Sequence, residues 1–365
     1  MAIGLTIRTL DGTVHDLAID DHGHFADPAD VTLDAVWDTG AWYAVSGLAD
    51  CHAHLSGDEV GERVGPDELP AFVAASAWAQ LQGGVFLVAD KGTHDELTLR
   101  ILDAPPTERP DLQMAGRIIT SPGGYYGDFG EEVDPADLAH AVRAAAGRNG
   151  STWVKIVGDW PKKGVGPTPN FDEEALRAAV EVAHAAGVRT AIHTCAPRTA
   201  SLAVAAGVDS IEHGLFLTVE DIEALGRRGG AWVPTIDAME AIRDMLGESS
   251  SGGRLFAEGL GNVRELLAGA PGVGVTVLAG TDLHLAHGHV AEEALKLHEY
   301  GLDAAAVVHA MTTAAYDYLG HHHAFRPGED ADVVFFDRDP RDDLTVLQRP
   351  RLAVRHGRIV AGSPA

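Results

Sequence analysis

His52 and His54 stand two residues apart in the segment Asp50-Cys51-His52-Ala53-His54. On a strand such residues share a face, so both imidazoles point the same way. Two neutral imidazoles side by side suit a divalent transition metal such as zinc. More donors close other apolar runs: His193 ends one, Glu212-His213 ends a second, and Gly280-Thr281-Asp282 ends a third. Four histidines and the Asp282 carboxylate are more donors than one tetrahedral zinc uses.

Lys155 bears on the metal count. It lies inside the apolar run Trp153-Val154-Lys155-Ile156-Val157, in a chain that has only five lysines, at 91, 155, 162, 163 and 296. Burial penalises an ammonium and moves the group toward the neutral amine. A neutral amine reacts with carbon dioxide to give a carbamate, an anion whose two oxygens can bridge two cations. An unmodified ammonium there would repel both. The expected cofactors are therefore two divalent metal ions, zinc first among them, and carbon dioxide held as a carbamate on Lys155. The blander reading of Lys155 is a side chain that snorkels to the rim. Cys51 alternates away from the His52 face and is expected to pack under a helix. Cys195 shares the His193 face and reads as a small pocket-wall residue.

These residues need elements that bring them to one place. Eight short apolar runs recur along the middle of the chain: Tyr43 to Leu48, Gly84 to Ala89, Leu112 to Ile119, Trp153 to Val157, Val188 to Ile192, Ser210-Ile211, Ala231 to Val233 and Val275 to Ala279. Helix-like stretches lie between them. In Glu173 to Ala186, for example, Leu176, Ala179, Val180, Val182 and Ala183 keep helical spacing. Eight such repeats predict an α/β fold of the (β/α)8 TIM-barrel class, whose active sites lie at the C-terminal ends of the strands. His52, His54, Lys155, His193, His213 and Asp282 all fall there. An open doubly wound sheet is the rival, weakened because no glycine-rich nucleotide fingerprint follows the first run.

Both ends of the chain read as strands. Ile3, Leu5 and Ile7 alternate with polar or small residues before an Asp11-Gly12 turn, and Val333 to Phe336 and Leu352 to Val354 are further strand-like runs. Residues 1-46 and 322-365 are expected to form one composite β domain around a 47-321 barrel. Four loops after strands are expected to be long: Ser56 to Leu69, Ser121 to Asp134, Gly158 to Asn170 and Ile236 to Gly261. Glu248 to Gly253 reads as a flexible stretch, and His321-His322-His323 as a polar loop rather than a metal tract. Lys162, Lys163 and Arg198 are candidates for a substrate carboxylate.

Acidic residues outnumber basic ones by 54 to 27, giving a formal charge of −27 at pH 7. That disfavours nucleic acid and anionic membrane surfaces as partners. The N-terminal residues show no signal-peptide pattern, no run approaches the roughly 18 apolar residues of a membrane span, and two cysteines make no disulfide framework. The expectation is a cytoplasmic protein acting on a small-molecule substrate, with a homo-oligomeric assembly left open.

Several motifs together resemble the amidohydrolase superfamily of metal-dependent hydrolases, most nearly its imidazolonepropionase-like and Xaa-Pro dipeptidase-like branch. They are Gly47-Leu48-Ala49-Asp50-Cys51-His52-Ala53-His54-Leu55, Val154-Lys155-Ile156, Ala205 to Gly214, Val233-Pro234-Thr235, Ala279-Gly280-Thr281-Asp282 and Pro327 to Val334. The resemblance implies a distorted barrel with a small β-sandwich domain built from both termini. It implies a binuclear centre in which His52, His54 and Asp282 hold one metal, His193 and His213 hold the other, and carboxylated Lys155 bridges them. It also implies that Asp282 takes a proton from a bridging hydroxide that attacks an amide C–N bond, as in a dipeptide or N-acyl amino acid. Dipeptidase-like relatives tend to carry Gly-Gly-His after the third strand. Here the matching stretch is Gly123-Gly124-Tyr125, so Tyr125 takes the histidine's place. Its phenol can donate to a developing oxyanion, or it packs on the rim as a loop aromatic. Lactone or ester hydrolysis on the same site is one alternative. A mononuclear deaminase or imidazolonepropionase-type ring hydrolase, using His52, His54, His193 and Asp282, is another. The absence of an acid in Thr194-Cys195-Ala196-Pro197 counts against the latter. A scaffold that has lost catalysis is disfavoured because none of the six ligands is missing.

Overall fold

A computed structural model describes residues 2–57, 65, 67–93, 97–126, 129–148, 150–162, 166–247, 249–322 and 324–364. Gly127, Lys163, Glu248 and His323, and much of the stretch from 58 to 66, lie outside the described residues. Among the described residues no helix is long and apolar enough to cross a membrane.

Eight parallel strands carry the candidate site. They are β1 (Leu48–Ala53), β2 (Val85–Asp90), β3 (Asp111–Met114), β4 (Trp153–Val157), β5 (Arg189–Thr194), β6 (Ser210–His213), β7 (Ala231–Val233) and β8 (Thr276–Val277). β1 to β3 pair in order, and β4 to β8 pair in order. The two arcs touch at both seams through single parallel bridges, Met114 with Ser151 and Ala53 with Asp282. Backbone hydrogen bonds reinforce each seam. Thr152 N–H donates to Met114 C=O at 2.9 Å, and Asp282 N–H donates to His52 C=O at 2.7 Å.

Alternation along these strands sorts residues into two cores. Val154, Ile156, Ile192, Ile211 and Trp232 pack with the residues of surrounding helices. Ala49, Leu87, Trp153, Ala191, Ala231 and Val233 form a separate cluster with Ala315, Tyr316 and Leu319 of the helix Thr313–Leu319. Lys155 and His193 stand two residues beyond Trp153 and Ala191, so they continue that inner face toward the strands' C-terminal ends. Cys51 does pack in a cluster with a helix, but on the inner face with Thr313–Leu319 rather than on the outer face that alternation predicts. The register of β1 against β2 shifts between Asp50 and Ala53, and this bulge breaks the strict alternation on which the expectation rests.

The apolar runs and the strands differ in instructive places. Tyr43–Val45 pairs with Val333–Phe336 and with Arg8-Thr9 in the terminal sheet, so the barrel wall starts only at Leu48. Gly47 separates the two with φ 157°. A Cβ there would stand 2.4 Å from the Tyr316 hydroxyl and 2.8 Å from Phe86 Cβ, so the close approach of the wall to the inner helix requires glycine. The third run breaks at Gly116 (φ 69°) into β3 and the short strand Ile119–Thr120. The stretch from 236 to 261 is not a loop but two helices, Ile236–Leu246 and Ser251–Leu266. Gly252 and Gly253 sit in the first turn of the second, where the Ser250 side chain caps the Gly253 N–H at 2.8 Å. The stretch from 158 to 170 is a hairpin, Asp159–Lys162 against Gly166–Pro169. The expected helix at 173 runs Glu173–Ala185, capped by Asp172 accepting from Ala175 N–H, with Leu176, Ala179, Val180 and Ala183 buried.

The terminal strands Ala2–Thr9, Val14–Ile19, Phe25–Ala26, Leu33–Val36, Tyr43–Val45, Val333–Phe336, Leu352–Arg355 and Arg358–Gly362 share one sheet. Its core includes Ile7, Leu17, Phe25, Trp42 and Phe335. Fully buried Arg355 links this sheet to the wall: its Nη2 lies 2.8 Å from Asp111 Oδ1 on β3, and its Nη1 pairs with buried Asp332. Replacing Arg355 by leucine leaves two carboxylates without their cation. Breaking a buried pair in this way costs about 3–5 kcal/mol, so Arg355→Leu is expected to lower the thermal unfolding midpoint markedly. An unchanged midpoint would show that this link contributes nothing to stability.

Candidate metal centre

The strand ends bring His52, His54, Lys155, His193, His213 and Asp282 into one buried cluster. His52, His54 and Asp282 offer ligand atoms within 4.8 Å of one another, and so do His193, Cys195 and His213. The groups adjoin: the His52 and His213 ring centroids are 5.2 Å apart, and those of His193 and His213 are 4.6 Å apart. Lys155 Nζ lies 3.3 Å from His52 Nε2, which places its amine between β1 and the histidines of β5 and β6.

The outer ring nitrogens settle the tautomers. His54 Nδ1 is 2.5 Å from the Gly92 carbonyl oxygen, which can only accept, so Nδ1 carries the proton. The Thr235 hydroxyl donates to Pro234 C=O at 2.8 Å and must therefore accept from His213 Nδ1, 2.6 Å away. His52 Nδ1 lies 2.6 Å from Glu212 Oε2, with both side chains fully buried. In each neutral ring the bare Nε2 then faces inward. The Nε2 atoms of His54, His52 and His213 lie 3.3, 3.7 and 3.9 Å from Asp282 carboxylate oxygens. Lone pairs converging on a carboxylate repel unless a cation sits among them. Hydrogen bonds to the outer nitrogens are what orient ligand histidines, so the donor set fits divalent cations.

Burial keeps the rings neutral. It pulls His52 down to about 4, with the Lys155 ammonium adding to the effect. It also pulls His213 down to about 3 and His193 well below the usual histidine range. Lys155 is lowered to about 8 by burial, against the opposing pull of Glu212 and Asp282.

Behind these residues stands a layer that spacing alone does not identify. Glu212 is visible in the sequence as a strand-ending acid but not as the anchor of His52. Its other oxygen accepts from the Ser210 hydroxyl at 2.6 Å and pairs with Lys91 Nζ at 3.2 Å. Lys91 is buried, and its ammonium lies 4.1 Å above the centre of the Trp153 ring. Burial opposes ionisation of Glu212, but Lys91 and His52 hold it well below the ordinary carboxylate range. Asp50 accepts from the Thr281 hydroxyl at 2.7 Å and from Thr281 N–H at 3.1 Å, tying β1 to the turn that carries Asp282. Asp159 accepts from Cys195 and Ala196 N–H at 3.0 Å each and so holds the end of β5.

Tyr125 lies at the mouth. Its ring centroid is 6.2 Å from that of His193 and 4.8 Å from that of Trp160 on the hairpin. Tyr126 continues the wall, 4.5 Å from Trp160 and half-exposed. Burial raises the Tyr125 phenol well above its usual range, and nearby Asp282 adds to this, so it remains a donor. Two of the candidates for a substrate carboxylate lie among the described residues. Lys162 ends the hairpin strand Asp159–Lys162, two residues after Trp160, and exposed Arg198 precedes the helix Thr199–Ala206 without a side-chain capping bond. His321 contacts Gln113 at 3.0 Å and Asp111 at 3.7 Å near the start of β3, away from the strand ends that form the centre, and exposed His322 pairs with Asp317.

The sequence matches the Amidohydrolase family over residues 43–360. An uncharacterised protein of Mycobacterium tuberculosis is 33% identical over 339 residues, covering 89% of this chain and 86% of that protein. An ochratoxinase of Aspergillus niger is 24% identical over 353 residues, covering 85% of this chain and 73% of the relative. Among solved structures, a Xaa-Pro dipeptidase with methionine bound in its active site superposes with a TM-score of 0.82 at 21% identity, covering 98% of this chain and 99% of the other. Such likenesses place the fold among TIM-barrel-type α/β proteins.

Glu212→Gln keeps the shape of the side chain but removes the charge that anchors His52. Loss of such an orienting partner costs about 10–100-fold in metal affinity. Competition with a chromophoric chelator is expected to show a drop of that size with an unchanged circular dichroism spectrum. Unaltered affinity would remove Glu212 from the orienting role.

Proposed function

The chain belongs to the amidohydrolase family, whose members are hydrolases of carbon–nitrogen bonds, and from that premise we propose that it hydrolyses the amide of a dipeptide or N-acyl amino acid at a binuclear metal centre. The observation that carries this reading is the convergence of bare Nε2 atoms on Asp282. The likeness to a Xaa-Pro dipeptidase supports the substrate class. The bridges at both seams support reading the eight strands as one closed (β/α)8 barrel. The terminal strands, one sheet with its own apolar core, support a separate β domain from residues 1–46 and 322–365.

His52, His54 and Asp282 would hold one divalent cation and His193 and His213 the other, with zinc first among candidates for a histidine-rich set. Buried Lys155, as its carbamate, would supply the anion shared between them. Bound there, the cations lower the pKa of a coordinated water and polarise the scissile carbonyl. The side chains do the rest. Asp282, ionised and facing three rings, accepts the proton of the attacking water at a carboxylate oxygen and passes it to the leaving nitrogen. Tyr125, kept protonated beside His193, donates to the oxygen on which negative charge develops. Trp160 and Tyr126 wall the mouth with apolar surface.

Metal analysis of the purified protein is expected to give two divalent ions per chain, and a fully active preparation holding one would overturn the binuclear reading. Asp282→Asn is nearly isosteric and cannot take up the proton. It should lose at least about a hundredfold in turnover, the low end for general acid–base catalysis. Tyr125→Phe separates the phenol from the metals. It should lower turnover by about 10²–10³, the effect of losing one oxyanion donor, with metal content unchanged. Full turnover would make the tyrosine a rim aromatic.

A further inference from the structure

The two halves of the cluster differ in chemistry. His52, His54 and Asp282 offer two nitrogens and an oxygen, whereas His193, Cys195 and His213 offer two nitrogens and a sulfur. Cys195 follows the last residue of β5, and its Sγ comes within 4.8 Å of a ring nitrogen of His193 and of His213. The Asp159 carboxylate fixes that turn by accepting from the backbone N–H of Cys195 and Ala196. Cys195 is buried, and its Sγ lies 3.7 Å from Met239 Sδ, so the surroundings on that side are soft and polarisable.

We propose that Cys195 is itself a metal ligand, its Sγ joining His193 and His213 as the third side-chain donor to the cation on that side. This rests on the metal-centre reading above. Coordination forms one sulfur–metal bond, breaks the S–H bond and releases its proton to solvent, with no change of oxidation state. One half of the centre then presents two imidazoles and a thiolate, and the other two imidazoles and a carboxylate. Thiolate favours zinc and copper(I), whereas carboxylate suits manganese and magnesium, so the halves sort unlike cations. A wall cysteine, the reading from alternation alone, keeps its proton and leaves His193 and His213 as the only side-chain donors of that half's own group.

The test uses cobalt(II) as the probe, added to metal-free full-length protein and followed by near-ultraviolet absorption. A thiolate-to-cobalt charge-transfer band is expected to grow with one of the two bound ions. It should vanish in Cys195→Ser and persist in Cys51→Ala, which alters the only other cysteine. Cys195→Ser should also hold that one ion at least about tenfold more weakly, since losing even an orienting partner costs as much. Two bound cobalt ions without the band, or a band that survives in Cys195→Ser, overturn the proposal and leave the binuclear reading standing. Failure of the wild-type protein to bind cobalt overturns both. The wild-type spectrum decides the matter even if the serine variant does not fold.

Discussion

The arrangement depends on one constraint: His52, His54 and His213 each spend the Nδ1 proton outward so that Nε2 faces inward with a free lone pair. His54 spends it on a backbone carbonyl, His213 on a threonine hydroxyl and His52 on a carboxylate. The three partners differ in strength, and their supports differ accordingly. A carbonyl or a hydroxyl needs only its place in the backbone, whereas Glu212, buried and charged, needs Lys91. Lys91 in turn rests on the Trp153 ring, the first inward residue of β4, two positions before Lys155. An apolar position of the inner core thus sets, through a cation–π contact, an ion pair and a hydrogen bond, the direction in which His52 points. A buried charge network of this kind adds little to stability and is costly to break, so the physical case for it lies in orientation.

Backbone strain collects at the same rim. His213, Thr235 and Asp282 have φ of 63°, 48° and 56°, in the left-handed region that side chains other than glycine rarely adopt. They stand at the C-terminal ends of β6, β7 and β8. Such residues cost of order 1–3 kcal/mol each and persist only where surrounding structure enforces them. Here the enforcement is visible. Trp232 Nε1 donates to His213 C=O at 2.9 Å, Thr235 is clasped between Pro234 and His213, and Asp282 is tied by its N–H to His52 C=O. The strain turns each strand out of its pleat at the point where its last side chain must reach across the barrel mouth.

Sequence alone brings out the residues that the structure gathers into one cluster, because donors two apart on strands and acids at strand ends obey local periodicities. It does not carry what depends on long-range contact. Lys91 reads as one of five lysines because its partners, Glu212 and Trp153, are remote in the chain. Alternation misplaces Cys51 because a single bulge in β1 reverses its face. The helices at 236–246 and 251–266 are hidden by Ser249 to Gly253. Yet Ser250 caps the second helix, and Leu260 and Val263 at helical spacing form its buried side. The hairpin at 159–169 is hidden by Pro161, Pro167 and Pro169, tolerated because this two-stranded ribbon lies outside the barrel wall.

That hairpin connects the mouth to the centre. Asp159 opens it and simultaneously holds the end of β5, while the next residue, Trp160, packs edge-to-face against Tyr125 and Tyr126. At the far end of the hairpin, Asn170 donates to Val157 C=O at 2.9 Å and to Gly124 C=O at 3.0 Å. The first contact fixes Asn170 to the end of β4, two residues beyond Lys155, and the second fixes the loop that carries Tyr125. A Cβ on Gly124 would stand 2.8 Å from the Asn170 amide, so this junction closes only around glycine. The aromatic wall is therefore not a loose cover over the histidine cluster. It is referenced by hydrogen bonds to the two strands, β4 and β5, that carry Lys155 and His193, and a substrate held against that wall is held in register with both.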